Sequence, residues 1–147
     1  ARQMLDAVLA GVDDASVFVA TAAVADWRPD TQADQKIKKD GSGQTPALRF
    51  VENPDILATV AASSRARSGD LFCVGFAAES HDLLAHATAK RIRKGVPLLV
   101  GNIGPATFGQ DDNALLLVDD AGARELPHGS KQDLAVQLID DIARRLS

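Results

Sequence analysis

The sequence predicts an α/β fold in which a mainly parallel sheet carries helices on both faces and is followed by a C-terminal antiparallel hairpin. Three continuous apolar runs, Ala15–Ala23, Leu71–Gly75 and Pro97–Gly101, are typical of strands buried on both faces. Stretches with helical periodicity lie between them, and this alternation indicates right-handed crossovers in a Rossmann-like sheet. Two further apolar runs flank the turn Asp119–Gly122, which predicts the hairpin.

The N-terminal half begins with a predicted helix over Gln3–Leu9, which Gly11 ends. After the first strand, Asp26–Gln44 is rich in Asp, Gln, Lys and Gly, so we expect it to be exposed and mobile. Leu48–Val51 is predicted to be a short strand, and the next helix is predicted to begin at Asn53-Pro54 with Asn53 as its cap. The residues of these two helices expected to face the core are Met4, Leu5, Val8, Leu9, Ile56, Leu57 and Val60.

The C-terminal half contains a predicted helix over His81–Lys94 with a basic C-terminal end. Ala114–Val118 and a short run near Glu125 are predicted to pair as the hairpin, and Ser130 is expected to cap a last helix. The residues of these two helices expected to face the core are Leu83, Leu84, Ala87, Leu134, Val136, Leu138, Ile139 and Ile142. No linker or internal repeat divides the chain, so residues 1–147 are predicted to form a single domain.

Composition argues against several classes of function. The net charge of −4 argues against general nucleic-acid binding, which needs a basic surface. The single cysteine, Cys73, lies in an apolar run and is predicted to be a core thiol, which fits a cytoplasmic location. No apolar stretch is long enough to cross a bilayer, so no membrane partner is expected. His81, His86 and His128 lack ligand spacing, so no protein metal site is predicted.

A ligand site is expected beyond the carboxyl ends of the strands, where open α/β sheets bind their ligands. The segments that follow the strands are Ala22–Pro29 (AAVADWRP), Glu52–Ile56 (ENPDI), Gly75–Ser80 (GFAAES) and Gly101–Gly104 (GNIG). Their small residues would let a ligand approach the backbone closely. The pattern indicates a ligand site without identifying the ligand.

Two residues directly after the first strand have open interpretations. Asp26 is suited to accept hydrogen bonds from ribose hydroxyls or to help hold a metal, but it equally suits a local turn. Trp27 would serve as a stacking surface or as a hydrophobic lid.

Three basic features are candidates for binding an anion. Lys36, Lys38 and Lys39 form the string KIKK, Lys90–Lys94 spells KRIRK at a helix end, and Lys131 opens the last helix. A tight lysine cluster repels itself and is stabilised most when a polyanion binds. Cations at a helix C-terminus are also favoured by the helix dipole and are often simply solvated. These clusters alone leave both interpretations open.

Taken in order, these motifs resemble the synthetase half of the bacterial bifunctional phosphopantothenoylcysteine decarboxylase/synthetase. The motifs are AAVADWRP, KIKK, NPDI, GFAAES, KRIRK, GN, FGQDDNA (Phe108–Ala114) and HGSK (His128–Lys131). The resemblance covers essentially the whole chain and begins after the family's Gly-rich N-terminal segment. We therefore expect the chain to be the larger C-terminal part of the synthetase domain, and to be incomplete for catalysis by itself.

The resemblance implies a CTP-dependent ligase of coenzyme A biosynthesis. The carboxylate of 4′-phosphopantothenate would attack the α-phosphate of CTP, releasing pyrophosphate and giving an acyl-cytidylate. The amine of cysteine would then displace CMP and give phosphopantothenoylcysteine. Mg²⁺ would accompany the phosphates, and FMN would belong only to the separate decarboxylase half. The resemblance also implies a homodimer of synthetase domains within a larger bifunctional oligomer.

The same resemblance assigns the site residues. Lys36 would be the catalytic lysine of a flexible flap, and Phe76 would pack against the nucleotide. Lys90 and Lys94 would present two ammonium groups on one helical face. The remaining nucleotide contacts would be Ala20, Thr21, Ala22 and Asp26, with Pro54, Asp55, Ile56 and Leu57 lining the cytidine pocket.

Two other functions are compatible with the fold class. A fragment of a dinucleotide-binding oxidoreductase would share the sheet, although no G-x-G-x-x-G stands between a strand and a helix in this sequence. A non-catalytic regulatory relative would keep the fold without the chemistry. The joint presence of Lys36, Lys90 and Lys94 argues against that second alternative.

Overall fold

The computed structural model describes residues 1–38, 41, 43–45, 47–103 and 109–147. Lys39, Gly104 and Phe108, which belong to three of the sequence motifs, lie outside the described residues. The strands are β1 (Val17–Ala20), β2 (Trp27–Pro29), β3 (Phe50–Glu52), β4 (Phe72–Glu79), β5 (Leu98–Ile103), β6 (Asp112–Asp119) and β7 (Gly122–Ser130). The helices are α1 (Arg2–Gly11), α2 (Ile56–Ala61), α3 (Ser64–Ser68), α4 (Leu83–Lys94) and α5 (Lys131–Leu146).

Five strands form one sheet in the order β1-β4-β5-β6-β7. The pairs β1–β4 and β4–β5 are parallel, whereas β6 and β7 continue the sheet antiparallel. Asp119 pairs with Gly122 at the tip of the β6–β7 hairpin, which confirms the predicted turn. The Rossmann-like fold class with a C-terminal hairpin is therefore confirmed.

Each face of the sheet has its own apolar core. On one face, α1, α2 and α4 cover a cluster that includes Val60, Cys73, Ala87 and Leu99. On the other face, α5 covers a second cluster of strand and helix residues. The buried members of that second cluster are Val74, Leu98, Val100, Leu115, Leu117, Leu126, Leu134, Leu138 and Ile142. Helices therefore lie on both faces, as the buried strand runs predicted.

The strand boundaries near the N-terminus differ from the prediction. The predicted strand Ala15–Ala23 is ordered as a strand only over Val17–Ala20, and those residues are half-buried. The reason is its position: β1 lies at the edge of the described sheet and has one strand neighbour there. The short strand is β3, at Phe50–Glu52, and it pairs with β2 in a separate two-stranded ribbon. Part of the segment predicted to be irregular is therefore the strand Trp27–Pro29.

The cap of α2 lies two residues later than predicted. Asp55, not Asn53, is the N-cap, and its side chain accepts a hydrogen bond of 3.0 Å from the Ala58 amide. Asn53 instead bonds to the preceding loop. The short helix α3 was not predicted, whereas Ser130 caps α5 as expected.

Several helical residues expected to face the core are exposed. The affected residues are Met4, Leu9, Leu84, Val136 and Ile139, each exposed over at least 40% of its surface. The apolar stripe of each helix is wider than the surface that the sheet covers. No helix among the described residues combines the length and apolarity that a bilayer crossing requires. Cys73 is buried as predicted, and burial raises the pKa of its thiol.

Candidate functional site

A cleft of about 420 Å³ opens at the carboxyl end of β1 and β4. The loop after β1, the start of α2, the end of β4 and one face of α4 form its walls. The predicted site residues that line it are Ala20, Thr21, Ala22, Asp26, Pro54, Asp55, Ile56, Leu57, Phe76, Lys90 and Lys94. Lys36 is exposed and is not among the lining residues. The topology thus brings every predicted site residue except Lys36 to one place.

The loop after β1 contributes small side chains to the cleft. Thr21, Ala22 and Ala23 are exposed, and a run of this kind leaves the backbone open to a bound molecule. Because β1 is parallel to β4, the carboxyl ends of both strands meet at this edge. The loop after β1 therefore reaches the same edge of the sheet as the end of β4.

Asn53 holds this loop in position. Its side-chain amide donates to the Ala25 carbonyl oxygen over 2.8 Å, and its backbone N–H donates to the Asp26 carbonyl oxygen over 2.7 Å. Arg28 in turn donates to the side-chain oxygen of Asn53 over 3.2 Å and to the Glu52 carbonyl oxygen. The β2–β3 ribbon and the loop that follows β1 are therefore fastened to each other beside the cleft.

Two lysines of α4 face the cleft, and each has a carboxylate partner from another element. Lys94 forms an ion pair with Asp55, the N-cap of α2. Lys90 Nζ lies 3.6 Å from Glu79 Oε1 at the end of β4. Burial works to raise the pKa of Asp55, but the Lys94 ammonium and the Ala58 amide outweigh it and hold that pKa below its usual value.

Apolar residues make the deep part of the cleft. Leu57, Phe76 and Leu99 line it, and Gly75 lies beneath two of them. A Cβ atom at Gly75 would stand 2.6 Å from Leu57 Cδ2 and 2.8 Å from Leu99 Cδ1. Glycine at this position therefore lets α2 pack closely on β4, and this close packing sets the shape of the cleft floor.

The acidic residues of the cleft do not form a metal cage. Asp26, Glu52 and Asp55 line it, but no group of three or more His, Cys, Asp or Glu side chains in the described residues is arranged to hold a metal ion.

Sequence reasoning missed Glu79 and misread the role of Asn53. The motif GFAAES does contain Glu79, but its pairing with Lys90 depends on how far β4 extends and how α4 lies across it. Asn53 was taken for a helix cap because Asn-Pro is a common helix start. Its side-chain bonds join it to residues 25 and 28 positions away, which no local pattern reveals.

A Rossmann-like sheet with small residues, an apolar floor and two lysines at its carboxyl edge defines an α/β domain whose cleft lies where open α/β sheets bind their ligands. The chain belongs to the DNA/pantothenate metabolism flavoprotein C-terminal domain family, which it matches over residues 1–146. This family membership confirms the resemblance that the motifs indicated.

Individual relatives agree with this assignment. The chain is 39% identical over 145 residues to the coenzyme A biosynthesis bifunctional protein CoaBC of Vibrio vulnificus strain YJ016, covering 97% of this chain and 35% of that protein. It is 43% identical over 155 residues to CoaBC of Mycolicibacterium smegmatis, covering 97% and 36%. The solved C-terminal domain of CoaBC superimposes with a TM-score of 0.74 at 26% identity, covering 99% of this chain and 62% of that one. The chain spans about a third of the length of the curated relatives it matches.

Proposed function

We propose that this chain carries the nucleotide site of a CTP-dependent ligase that joins cysteine to 4′-phosphopantothenate in coenzyme A biosynthesis. One observation carries the proposal: residues from four separate segments, including Lys90 and Lys94, line a single cleft at the carboxyl edge of the sheet. The names of the relatives, coenzyme A biosynthesis bifunctional proteins, support the pathway.

The first step brings a carboxylate to a polyphosphate, and both are negatively charged. The phosphopantothenate carboxylate attacks the α-phosphorus of CTP, the bond from that phosphorus to the bridging oxygen breaks, and pyrophosphate leaves. Lys90 and Lys94 lie where two ammonium groups can neutralise the charge that builds on the phosphates. Lys36 would add a third cation from the exposed segment, although it does not line the cleft.

The second step consumes the acyl-cytidylate. The neutral amine of cysteine attacks the acyl carbon, CMP leaves with the bonding electron pair, and the amine loses a proton. Exclusion of water matters here, because hydrolysis of the mixed anhydride would waste CTP. The apolar residues Leu57, Phe76 and Leu99 give the cleft a floor that water solvates poorly.

The residues at the start of α2 would select the base of the nucleotide. Backbone groups of Pro54–Leu57 can contact a base edge without a charged side chain, while Phe76 packs against the nucleotide. Asp26 at the end of the β1 loop is suited to accept hydrogen bonds from the ribose.

Mg²⁺, the dimer and the location belong to the same proposal. Mg²⁺ would come with the triphosphate and share the neutralisation of its charge. The family resemblance supports a homodimer in the cytoplasm, and FMN would be bound only by a decarboxylase half. In the described part of the chain, no particular contact or distance favours the oxidoreductase or the non-catalytic alternative.

Titration calorimetry tests the nucleotide assignment directly. We expect the protein to bind CTP with Mg²⁺ about tenfold or more tightly than ATP or GTP, because the cleft is proposed to read the base as well as the phosphates. Product formation in the full-length protein should likewise require CTP. Equal affinity for the three nucleotides, or preferential binding of NADPH, would refute the ligase assignment.

A further inference from the structure

Glu79 lies between two basic side chains of α4. Its Oε1 is 3.6 Å from Lys90 Nζ, and its Oε2 is 3.7 Å from His86 Nδ1. Glu79 is the last residue of β4, and its side chain is only 22% exposed. Of the three residues, Lys90 lines the cleft, whereas Glu79 and His86 do not.

The backbone geometry explains this arrangement. Side chains alternate along a strand, so Glu79 projects from the same face of β4 as Ala77, which belongs to the core that α4 covers. His86 and Lys90 are four residues apart on α4 and therefore share one helical face. The strand thus fixes the carboxylate, and the helix brings the lysine to it.

We propose that Glu79 is a positioning residue that holds the Lys90 ammonium at the wall of the cleft, ready for the phosphates of the nucleotide. This inference rests on the proposed function. Asp55, the N-cap of α2, likewise pairs with Lys94 of the same helix. A free lysine would have to lose much of its conformational freedom when it contacts a phosphate. A lysine already held by a carboxylate loses less.

Positioning and simple electrostatics predict opposite effects for removal of the charge. Glu79 is negative and adjoins a site for an anion, so electrostatics alone predicts that Glu79→Gln binds nucleotide more tightly. Positioning predicts weaker binding, because Lys90 loses its anchor. The direction of the change in Kd therefore decides between the two.

The experiment measures Kd by calorimetry for two probes, CTP with Mg²⁺ and inorganic tripolyphosphate. We expect Glu79→Gln to raise both Kd values about fivefold. The reason is that Lys90 would then have to lose more conformational freedom when it contacts the phosphates. Glu125→Gln is the matched control, since Glu125 is exposed on β7 away from the cleft and the substitution changes the net charge equally. Its Kd values should stay within about twofold of the original protein.

A double-mutant cycle shows whether Glu79 acts through Lys90. If it does, Glu79→Gln in a Lys90→Gln background weakens binding no further. Glu79→Asp keeps the negative charge but moves it away from Lys90 by one methylene, so it should give part of the loss of affinity. If Glu79→Gln fails to fold, Glu79→Asp still tests whether Glu79 positions Lys90. Tighter or unchanged binding in Glu79→Gln, an undiminished effect without Lys90, or binding of neither probe by the original protein would overturn the proposal.

The two proposals fail differently. Loss of preference for CTP over ATP and GTP would refute the ligase function. Coupling of Glu79 to Lys90 in tripolyphosphate binding could still persist in that case, because that probe has no base. Additive effects with CTP preference intact would refute the positioning role alone.

Discussion

Lys90 and Lys94 lie one helical turn apart, and the ammonium group of each pairs with a carboxylate. These partners prevent the two positive charges from repelling each other freely. A chain with a net charge of −4 can in this way keep a local cationic site.

Lys36 is the one predicted site residue that does not line the cleft, and its substitution tests whether it takes part in the reaction. We expect Lys36→Gln to lower CTP-dependent turnover of the full-length protein at least about tenfold, because a cation near the phosphates acts in the transition state. The free energy of unfolding should change by less than about 0.5 kcal/mol, since Lys36 is exposed. Steady-state kinetics and chemical denaturation measure the two effects.

Lys38→Gln is the matched control for that substitution, because Lys38 is exposed in the same segment. It should leave turnover within about threefold of the original. A large loss of stability in Lys36→Gln would contradict the interpretation of this segment as a flap.

At the scale of elements, α5 is fastened to the hairpin by a buried carboxylate. Asp141 is only 6% exposed and accepts hydrogen bonds from Arg145 over 2.6 Å and from Arg124 on β7. Arg145 also pairs with Asp119 of β6 over 2.7 Å. One helix and both hairpin strands thus share a single ionic cluster beside the apolar core.

This cluster predicts a pH-dependent stability. Burial works to raise the pKa of Asp141, but the hydrogen bond and charge of Arg145, with Arg124, outweigh it and keep that pKa low. The stabilisation is therefore complete above the unfolded-chain value of about 3.9 and is lost as the pH falls through the lower folded-state pKa. Asp141→Asn should cost about 2 kcal/mol at neutral pH, measured by denaturant unfolding.

Asp140→Asn is the control, because Asp140 is exposed on the same helix. Its unfolding free energy should stay within about 0.5 kcal/mol of the original at each pH. The difference in unfolding free energy between the original chain and Asp141→Asn should shrink as the pH falls from about 5 to about 2, because Asp141 becomes protonated over this range. A difference that stays constant over this range would show that the charge of Asp141 does not stabilise the fold.

At the scale of the whole molecule, the cleft joins two parts that the sheet does not connect. Among the residues that the structure describes, the β2–β3 ribbon forms no strand pairing with the five-stranded sheet. Asn53 ties the ribbon to the loop after β1, and that loop lines the cleft. The position of the ribbon and the shape of the cleft are therefore coupled.

Asn53→Ala should reveal this coupling. The substitution removes the side-chain bonds to Ala25 and Arg28, so the loop becomes less ordered and CTP affinity should fall about tenfold. Calorimetry measures the affinity, and thermal unfolding should show a drop of only a few degrees. Gln132→Ala, exposed on α5, should change neither value. Unaltered CTP binding in Asn53→Ala would show that something else positions the loop.

The predictable part of the fold was the part with local causes. Buried runs such as Leu71–Gly75 and the cap Ser130 are recognisable from residue types and spacing. The pairing of Trp27 with Glu52 does not, because it joins segments separated by a polar stretch that gives no strand signal. The exposed Leu84 and Ile139 were misassigned since periodicity shows which helix face is apolar but not how much of it a neighbour covers.

For this protein, the sequence by itself determined the α/β class, the segments at the strand ends and the family. Those depend on composition and order along the chain. Only the tertiary structure decided that Glu79 pairs with Lys90, that Asp55 pairs with Lys94 and that Asn53 bonds to the loop beside the cleft. Each of these contacts joins residues on different elements, and their distances are fixed by how the helices and strands pack.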